Sequence, residues 1–252
     1  MEGHRHGDNP LTKTIFLAGA TGAIGRRLSP ILVAEGWRVV GATRSEGKLA
    51  DLRALGVEPV IADVFDAAAL SAAVVAAKPD VVIHQLTDLA AALDPIRMPN
   101  ALVGNARIRD EGTRNLLAAA LAAGARRFIA QSVAFAYAEG PLPHKEEDPL
   151  ALTAGGVAGI SVRGVASLES QTLAAPLDAL VLRYGFLYGP GTGFDTPEGP
   201  APLHVDAAAK AAALAVTRGA PGLYNIAEDN DTVTSDKAKR ELGWSADWRG
   251  GA

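Results

Sequence analysis

Three glycines near the N-terminus have the spacing of a phosphate-binding turn. Gly19, Gly22 and Gly25 follow the apolar run at residues 15–18 and precede a stretch compatible with a helix. A strand that enters a helix through such a turn directs unpaired backbone N–H groups and the positive end of the helix dipole at a phosphate. Gly19 permits the tight turn, Gly22 lets the backbone approach a ligand, and Gly25 lets helix pack on strand. The spacing is G-x-x-G-x-x-G rather than the commoner G-x-G-x-x-G. In this position it favours a nucleotide site over a purely structural turn.

The end of the second predicted strand, residues 37–43, lacks the acid that would bind a ribose 2′-hydroxyl. A dinucleotide-binding fold places Asp or Glu there, about 20 residues beyond the glycines. This chain has Thr43, followed by Arg44 and Ser45. A guanidinium matches a 2′-phosphate bidentately. The pattern therefore favours NADP over NAD, and the alternative for Arg44 is a solvated surface arginine.

Strand-like and helix-like segments alternate along the chain. The predicted strands are 15–18, 37–43, 57–62, 79–87 and 222–226, with a turn and the fifth strand over 124–133 and the sixth strand and its exit over 180–191. The main predicted helices are 26–35, 48–55, 67–77, 105–121 and 159–173. This alternation predicts an α/β fold, a Rossmann-type doubly wound parallel sheet. Pro30 lies inside the first helix, where we expect it to remove a hydrogen bond or introduce a kink.

Length, charge and composition exclude several classes of protein. The chain has 252 residues, no cysteine and a formal net charge of −4. We expect a flexible tail over residues 1–12 and one domain over 13–252, with a small C-terminal substrate lobe from about residue 190 onward. The acidic balance predicts no nucleic-acid partner. No apolar run of about 18 residues predicts a membrane span, and the histidines are too scattered for a metal site. We therefore expect a cytoplasmic protein with a small-molecule substrate.

Seven segments resemble, in order, the extended short-chain dehydrogenase/reductase family, the NAD(P)-dependent epimerase/dehydratase group. They are Gly19-Ala-Thr-Gly-Ala-Ile-Gly25, Val81-Val-Ile-His-Gln-Leu-Thr87, Asn105-x6-Gly112-Thr-Arg-Asn-Leu-Leu117, Arg183-x4-Tyr188-Gly-Pro190, Leu203-His-Val-Asp206, Gly222-Leu-Tyr-Asn-Ile226 and Ala238-Lys-Arg-Glu-Leu-Gly-Trp244. The resemblance covers roughly residues 13–244. It implies the doubly wound fold and a nicotinamide dinucleotide cofactor.

The resemblance also implies which residues contact that cofactor. They are Gly19, Thr21, Gly22, Ala23, Ile24 and Gly25 in the turn; Thr43, Arg44 and Ser45 after the second strand; Asp63 and Val64 at the adenine; Gln85, Leu86 and Thr87 after the fourth strand; Asn105 on the central helix; and Tyr184, Gly185 and Leu187 after the sixth strand. For Asp63 and Asn105, the assignment as a cofactor contact is less direct. Asp63 could cap the following helix, and the family pattern Asn-x-x-Gly-Thr has a shorter spacing than Asn105 and Gly112. His84, in contrast, is predicted to be a hydrogen-bonded core residue.

The family's catalytic pair is missing. Its Tyr-x-x-x-Lys motif uses the tyrosine to exchange a proton with the substrate oxygen, while the lysine lowers the tyrosine pKa and holds the nicotinamide ribose. No Tyr-x-x-x-Lys occurs in this sequence. Aligning on Glu169 places Ser161 at the tyrosine position and Val165 at the lysine position. Neither side chain can replace the one it stands for.

Other hydroxyl groups are candidates for the chemistry. Ser132 lies where the family has its serine, although an alignment anchored on Tyr137 places Val133 there instead. We predict Ser132 and Tyr137 as the catalytic candidates, with packing as the alternative role for Tyr137. Tyr184 and Tyr188 could also reach the nicotinamide side by resemblance. Arg183 is expected to tie its strand to a neighbouring loop, or else to bind an anionic substrate.

Two functions of different class remain open. The first is an atypical NAD(P)-dependent oxidoreductase or epimerase that acts on a small carbonyl, hydroxyl or sugar-like substrate. The second is a non-catalytic NADP-binding sensor of the NmrA-like type. The missing Tyr/Lys pair favours the sensor, and the retained segments on the substrate side favour the enzyme. An alanine-rich face at Ala118, Ala119 and Ala122 suits close helix packing, either in a homodimer, as the resemblance implies, or within one subunit.

Overall fold

Seven parallel strands form the sheet on which the other elements are arranged. A computed structural model describes residues 13–89 and 98–250, so the predicted flexible tail lies outside the described residues. The strands are β1 Thr14–Ala18, β2 Arg38–Thr43, β3 Glu58–Ile61, β4 Val81–His84, β5 Arg127–Val133, β6 Asp178–Tyr184, β7 Phe186–Tyr188, β8 Pro202–His204 and β9 Gly222–Ile226. The main sheet has the order β3-β2-β1-β4-β5-β6-β9, and β7 and β8 pair separately. The direction of the order reverses beside β1, which confirms the predicted doubly wound fold.

Helices cover both faces of this sheet. They are α1 Ala23–Ala34, α2 Leu49–Ala54, α3 Ala67–Ala77, α4 Met98–Arg107, α5 Thr113–Ala122, α6 Gly156–Ala174, α7 Val205–Ala215 and α8 Asp236–Leu242. Helices α1, α2, α7 and α8 contribute to the core on one face. Helices α3, α5 and α6 contribute to the core on the other face. Within the described ranges, no helix has the length and apolar content to cross a bilayer.

Strand β1 is apolar along its length because both of its faces are buried. Ile15 and Leu17 pack into one core, whereas Phe16 and Ala18 pack into the other. A strand in the middle of a parallel sheet is buried on both faces, so polar and apolar residues do not alternate along it. This arrangement places the glycine turn at the carboxyl end of β1, where ligands bind in open α/β sheets.

Several element boundaries differ from those predicted. The predicted helix 105–121 is α4 and α5 joined by one π turn, Ile108–Gly112, and α4 begins earlier, at Met98. In the segment 180–191, predicted as the sixth strand and its exit, the strand ends at Tyr184 and the exit forms β7. A Cβ on the intervening Gly185 would lie 2.1 Å from the Ala201 carbonyl oxygen. Helix α1 continues through exposed Pro30 to Ala34, where the proline supplies no backbone N–H, so the expected loss of one helical hydrogen bond holds and the expected kink stays a prediction.

The chain after residue 190 crosses the end of the sheet and returns to it through α7. Arg27 on α1 fixes this crossing, because its Nε donates to Asp206 at 2.6 Å and its Nη2 donates to the Pro190 carbonyl at 2.5 Å. The predicted role of this region as a reduced substrate lobe stays a prediction.

Candidate nucleotide and hydride-transfer site

The glycine turn has two glycines required by packing and one that faces open space. A Cβ on Gly19, whose φ is +90°, would lie 2.5 Å from the Gln85 carbonyl oxygen, and one on Gly25 would lie 2.3 Å from the Gly19 carbonyl oxygen. On exposed Gly22, a Cβ would meet only the Gly19 carbonyl oxygen, at 3.3 Å. The open side of Gly22 therefore has the shape of a cradle that a side chain would fill and a ligand could occupy.

The N-terminus of α1 completes this cradle. Its N-cap is Gly22, no side chain caps the helix, and its first turn carries no acid. The flanking residues Thr21 and Ala23 are half-buried, whereas Ile24 packs into the core. The first N–H groups and the positive helix dipole thus face the open side of the turn, which suits a pyrophosphate.

The exit of β2 presents an arginine rather than an acid. Thr43 is buried, and its Oγ1 accepts a hydrogen bond from the Ser45 backbone N–H at 3.2 Å. Arg44 between them is mostly exposed, and its guanidinium lies 3.9 Å from the carboxylate of Asp88. At this distance and exposure the ion pair is weak, so the guanidinium can turn to a phosphate.

At the end of β3, the structure corrects the prediction that Asp63 could cap the following helix. Asp63 does not cap α3: its Oδ1 accepts from the Phe65 N–H, and the cap is Asp66, whose side chain accepts from the Ala69 N–H. The Val64 carbonyl accepts from Asn115 Nδ2 at 2.8 Å. This hydrogen bond holds the Asp63–Val64 turn against α5. The Asp63 side chain then lies at the edge of the candidate nucleotide site.

The exit of β4 contains an orphaned acceptor. Gln85 is buried, and its Nε2 donates to the Tyr184 hydroxyl at 3.3 Å, while its Oε1 has no hydrogen-bond partner among the described residues. A buried acceptor without a donor costs free energy, so such groups usually mark a ligand or water position. Half-buried Leu86 and exposed Thr87 follow along the same edge. An amide or hydroxyl donor of a bound dinucleotide would satisfy Gln85.

His84 is a core residue, as predicted. Its Nδ1 accepts from the Leu86 N–H, so Nε2 carries the proton and donates to Thr113 Oγ1 at 3.1 Å. Burial and, to a smaller extent, the charge of Arg109 lower the pKa of His84 to about 4. The imidazole is therefore neutral at pH 7, so it holds its Nε2 proton in the hydrogen bond to Thr113 and does not act as a general acid.

The central helix brings Arg109 to the site, and sequence reasoning missed it. Asn105 is buried, and its Oδ1 accepts from the Asp88 N–H. Arg109, within the π turn, stands three residues before Gly112, which is the position of the asparagine in the family pattern. Its Nη1 donates to Ser161 Oγ at 3.3 Å. Counting back from Gly112, rather than searching for an asparagine, would have found it.

The positions of the missing catalytic pair lie on α6. Ser161 is half-buried and receives the hydrogen bond from Arg109, whereas Val165 is buried in the protein interior. A serine in place of a tyrosine leaves room here for the arginine side chain. Neither phenol nor ammonium is present at this point of the described structure.

The two catalytic candidates belong to one buried network. Ser132 Oγ donates to Glu169 at 2.7 Å, and Glu169 accepts two hydrogen bonds from Arg183, at 2.8 and 2.7 Å. Arg183 also donates to the Tyr137 hydroxyl at 2.8 Å, and that hydroxyl donates to Asn225 at 2.6 Å. Burial raises the pKa of Tyr137. Arg183 thus ties β6 to α6 and to the loop after β5, and catalytic roles for Ser132 and Tyr137 stay predictions.

The remaining predicted residues follow β6. The buried Tyr184 hydroxyl accepts from Gln85, and burial raises its pKa. Gly185 is buried beside Ala201, and half-buried Leu187 lies on β7. Tyr188 faces elsewhere, because its hydroxyl donates to Glu228 at 2.8 Å.

This arrangement defines a dinucleotide-binding protein of the oxidoreductase type, with the cofactor cradle at the carboxyl ends of β1 and β4. A family model described as NAD(P)H-binding matches residues 19–189. The chain belongs to this NAD(P)H-binding family. Its cofactor is a nicotinamide dinucleotide.

Two kinds of relative accompany the family match. The chain is 41% identical over 236 residues to the 3-diazoavenalumate denitrifying reductase of a Streptomyces species, covering 85% of this chain and 76% of the relative. Among solved structures it is similar to the UDP-glucose 4-epimerase of Thermotoga maritima, with a TM-score of 0.75 and 19% identity over 93% of this chain and 94% of that one. It is also similar to Bordetella bronchiseptica WbmG in complex with NAD, with a TM-score of 0.72 and 18% identity over 96% and 91%. The two structures share the fold.

Proposed function

We propose that this protein is an NADPH-dependent reductase whose substrate accepts a hydride without needing a proton from the enzyme. One observation carries the proposal. An intact nucleotide cradle stands beside an α6 that has Ser161 and Val165 where the family has its proton donor and the lysine that activates it. The substrate class we favour is a small aromatic diazo compound.

The chemistry of that substrate explains the missing pair. When bound, the reduced nicotinamide supplies one hydride, which on an aromatic diazonium forms a C–H bond while the C–N bond breaks and N₂ departs with its electron pair. No oxygen anion is created, so no side chain has to donate a proton. The protein's task is then to bind, to orient and to exclude water.

A carbonyl substrate fits these residues less well. Its reduction creates an alkoxide that a positioned acid normally protonates, and such acids contribute roughly 10²–10⁴-fold to the rate. The nearby hydroxyls of Ser132 and Tyr137 already donate to Glu169 and Asn225. We therefore set aside the carbonyl and sugar-like substrates expected from the family resemblance.

The relative named as a reductase supports the same class. It is 41% identical, and its name gives it a diazo substrate and a denitrifying reduction. Fold alone does not identify chemistry, but the combination of this identity with the lost acid and lysine does favour one reaction type over the others.

The preference for NADPH rests on the exit of β2. Buried Thr43 replaces the acid that would accept from a ribose 2′-hydroxyl, and among the described residues the Arg44 guanidinium has one ion-pair contact, at 3.9 Å from Asp88. A 2′-phosphate would be a stronger partner for this guanidinium than a carboxylate at that distance.

The experiment is to mix the purified protein with NADPH and 3-diazoavenalumate and to follow NADPH absorbance and N₂ release together. We expect one N₂ for each NADPH consumed. Binding of NADPH without turnover of this or other diazo compounds would favour the non-catalytic sensor. Absence of nucleotide binding would contradict both functions.

A further inference from the structure

We propose that Arg109 binds the carboxylate of an anionic aromatic substrate, in a subsite between the α4–α5 segment and α6. The proposal rests on the proposed reductase function and adds the charge of its substrate. It also assigns the residue that recognises that charge.

Arg109 is a buried cation with little to compensate it. The residue is 6% exposed, and its guanidinium donates a 3.3 Å hydrogen bond to the neutral Ser161 hydroxyl. Among the residues that the structure describes, no carboxylate lies within ion-pair distance of its guanidinium. Burial lowers the pKa of Arg109 to about 10, so the group remains charged at neutral pH.

The neighbouring arginines of the same segment, in contrast, have carboxylate partners. Arg107 lies 2.7 Å from Glu111, and Arg114 lies 2.9 Å from Asp110. Each of these exposed arginines therefore has a carboxylate one helical turn away. Arg109 points instead into the protein, where burial of a charge without a partner is costly.

The nearest source of negative charge is already neutralised. Glu169 exerts a Coulombic effect on Arg109, but it accepts two hydrogen bonds from Arg183 and a third from Ser132. Glu169 is thus the ion-pair partner of Arg183 and acts on Arg109 only through the weaker Coulombic effect. Arg109 therefore keeps a buried positive charge without an ion-pair partner among the described residues. At such a position an anionic group of a ligand contributes most to the binding free energy.

The position of Arg109 directs this charge toward the hydride-transfer site. Its guanidinium contacts Ser161, where the family resemblance places the residue that meets the substrate. Arg109 also lies close enough to His84, the last residue of β4, to lower its pKa. The π turn that carries Arg109 is a feature that frequently occurs at functional sites.

The substrate is a better partner for this charge than the cofactor. The pyrophosphate belongs at the glycine turn before α1, whose core-facing residues pack on one face of the sheet, whereas α5 and α6 pack on the other. The ribose and carboxamide at the nicotinamide end carry no negative charge. A carboxylate carries a full charge and matches the guanidinium fork in shape.

Equilibrium binding tests the proposal without turnover. The probes are avenalumate, which lacks the diazo group, and its uncharged methyl ester, each titrated calorimetrically into the protein saturated with NADP. We expect wild type to bind the carboxylate at least tenfold more tightly than the ester. Arg109→Met should abolish this preference and Arg109→Lys should keep part of it, while NADPH affinity stays within about threefold in both. Arg114→Gln, which alters an exposed arginine of α5, is the matched control.

Other outcomes would overturn the proposal. Loss of NADPH affinity in Arg109→Met with an unchanged carboxylate preference would make Arg109 a cofactor-binding residue. Equal binding of the two probes by wild type, or no binding of either, would exclude the carboxylate subsite. Turnover of 3-diazoavenalumate in the separate assay would leave the reductase function standing in each case.

Thermal melts separate this role from a structural one. Since a functional buried charge costs stability, Arg109→Met should melt at or above the wild-type temperature. A melting temperature lowered by about 10 °C or more would mean that Arg109 holds the fold together, and would contradict the proposal.

Discussion

At the scale of single residues, the chain differs from its family in where positive charge and acidic hydrogen are placed. By the family resemblance, Val165 stands where an ammonium is expected on α6, and Arg109 in the π turn places a guanidinium beside Ser161. By the same resemblance, Ser161 stands where a phenol is expected, and the hydroxyl of Tyr137 donates to Asn225 instead of facing a free site. A reaction that needs a hydride but no proton is consistent with both changes.

We expect Arg44 to determine the preference for NADPH over NADH. Arg44→Ala should weaken NADPH binding about tenfold, a loss of about 1.4 kcal/mol, and leave NADH binding unchanged, because only NADPH carries the 2′-phosphate. Calorimetric titration with both nucleotides measures this, and Arg53→Ala on the exposed side of α2 serves as the control. An equal loss for both nucleotides would contradict the assignment.

Tyr137 distinguishes a structural hydroxyl from a catalytic one. Tyr137→Phe removes the hydrogen bonds to Arg183 and Asn225, so we expect the free energy of unfolding to fall by about 1–3 kcal/mol. The rate of NADPH oxidation with 3-diazoavenalumate should change less than about fivefold. Tyr188→Phe, outside this network, is the control for removing a phenol. A rate reduced by roughly 10² or more would identify Tyr137 as the acid.

At the scale of elements, two glycines in the unit formed by β1, the turn and α1 allow effects on folding and effects on nucleotide binding to be measured separately. Gly25→Ala places a Cβ against backbone atoms of Gly19 and Ala20, so it should cost about 2 kcal/mol or more of stability. Gly22→Ala meets one atom at 3.3 Å, so it should fold with nearly unchanged stability but bind NADPH at least tenfold more weakly. Urea unfolding and nucleotide titration of both variants measure the two effects. Similar losses of stability would mean that Gly22 is needed by the fold and not by a ligand.

How well the elements could be predicted from sequence depends on how local their causes are. The β1–turn–α1 unit is set by an apolar run and three closely spaced glycines, and it was predicted correctly. The position of Arg109 was not predicted, because it depends on a π turn and on a contact with Ser161, 52 residues away. The Arg183–Glu169 pair was missed for the same reason, since a strand and a helix must first pack together. The cap on α3 was assigned to Asp63 as an alternative, although Asp66 stands directly before the helix.

At the scale of the whole molecule, a neutral imidazole in the core makes stability depend on pH. The pKa of His84 is about 4 in the folded chain and 6.5 when unfolded, so between these values the unfolded chain binds more protons. Stability should therefore fall as pH drops from about 6.5 toward 4, by up to about 3 kcal/mol from this residue. His84→Gln should flatten the curve of unfolding free energy against pH over this window. Parallel curves for wild type and variant would show that His84 does not contribute.

The assembly of the molecule stays a prediction. On the alanine-rich face expected to form a homodimer, Ala119 is buried within the subunit, whereas Ala118 and Ala122 are exposed and available for a partner. Sedimentation of the purified protein at several concentrations would decide between a monomer and a dimer.

The most direct test of the account uses NADPH carrying two deuterium atoms at the hydride-bearing carbon of its nicotinamide, in ordinary water, with 3-diazoavenalumate. We predict that the product carries one deuterium at the ring position that bore the diazo group, together with one N₂ for each NADPH oxidised. Product with hydrogen from water at that position, or consumption of substrate without oxidation of NADPH, would contradict direct hydride delivery and with it the proposed function.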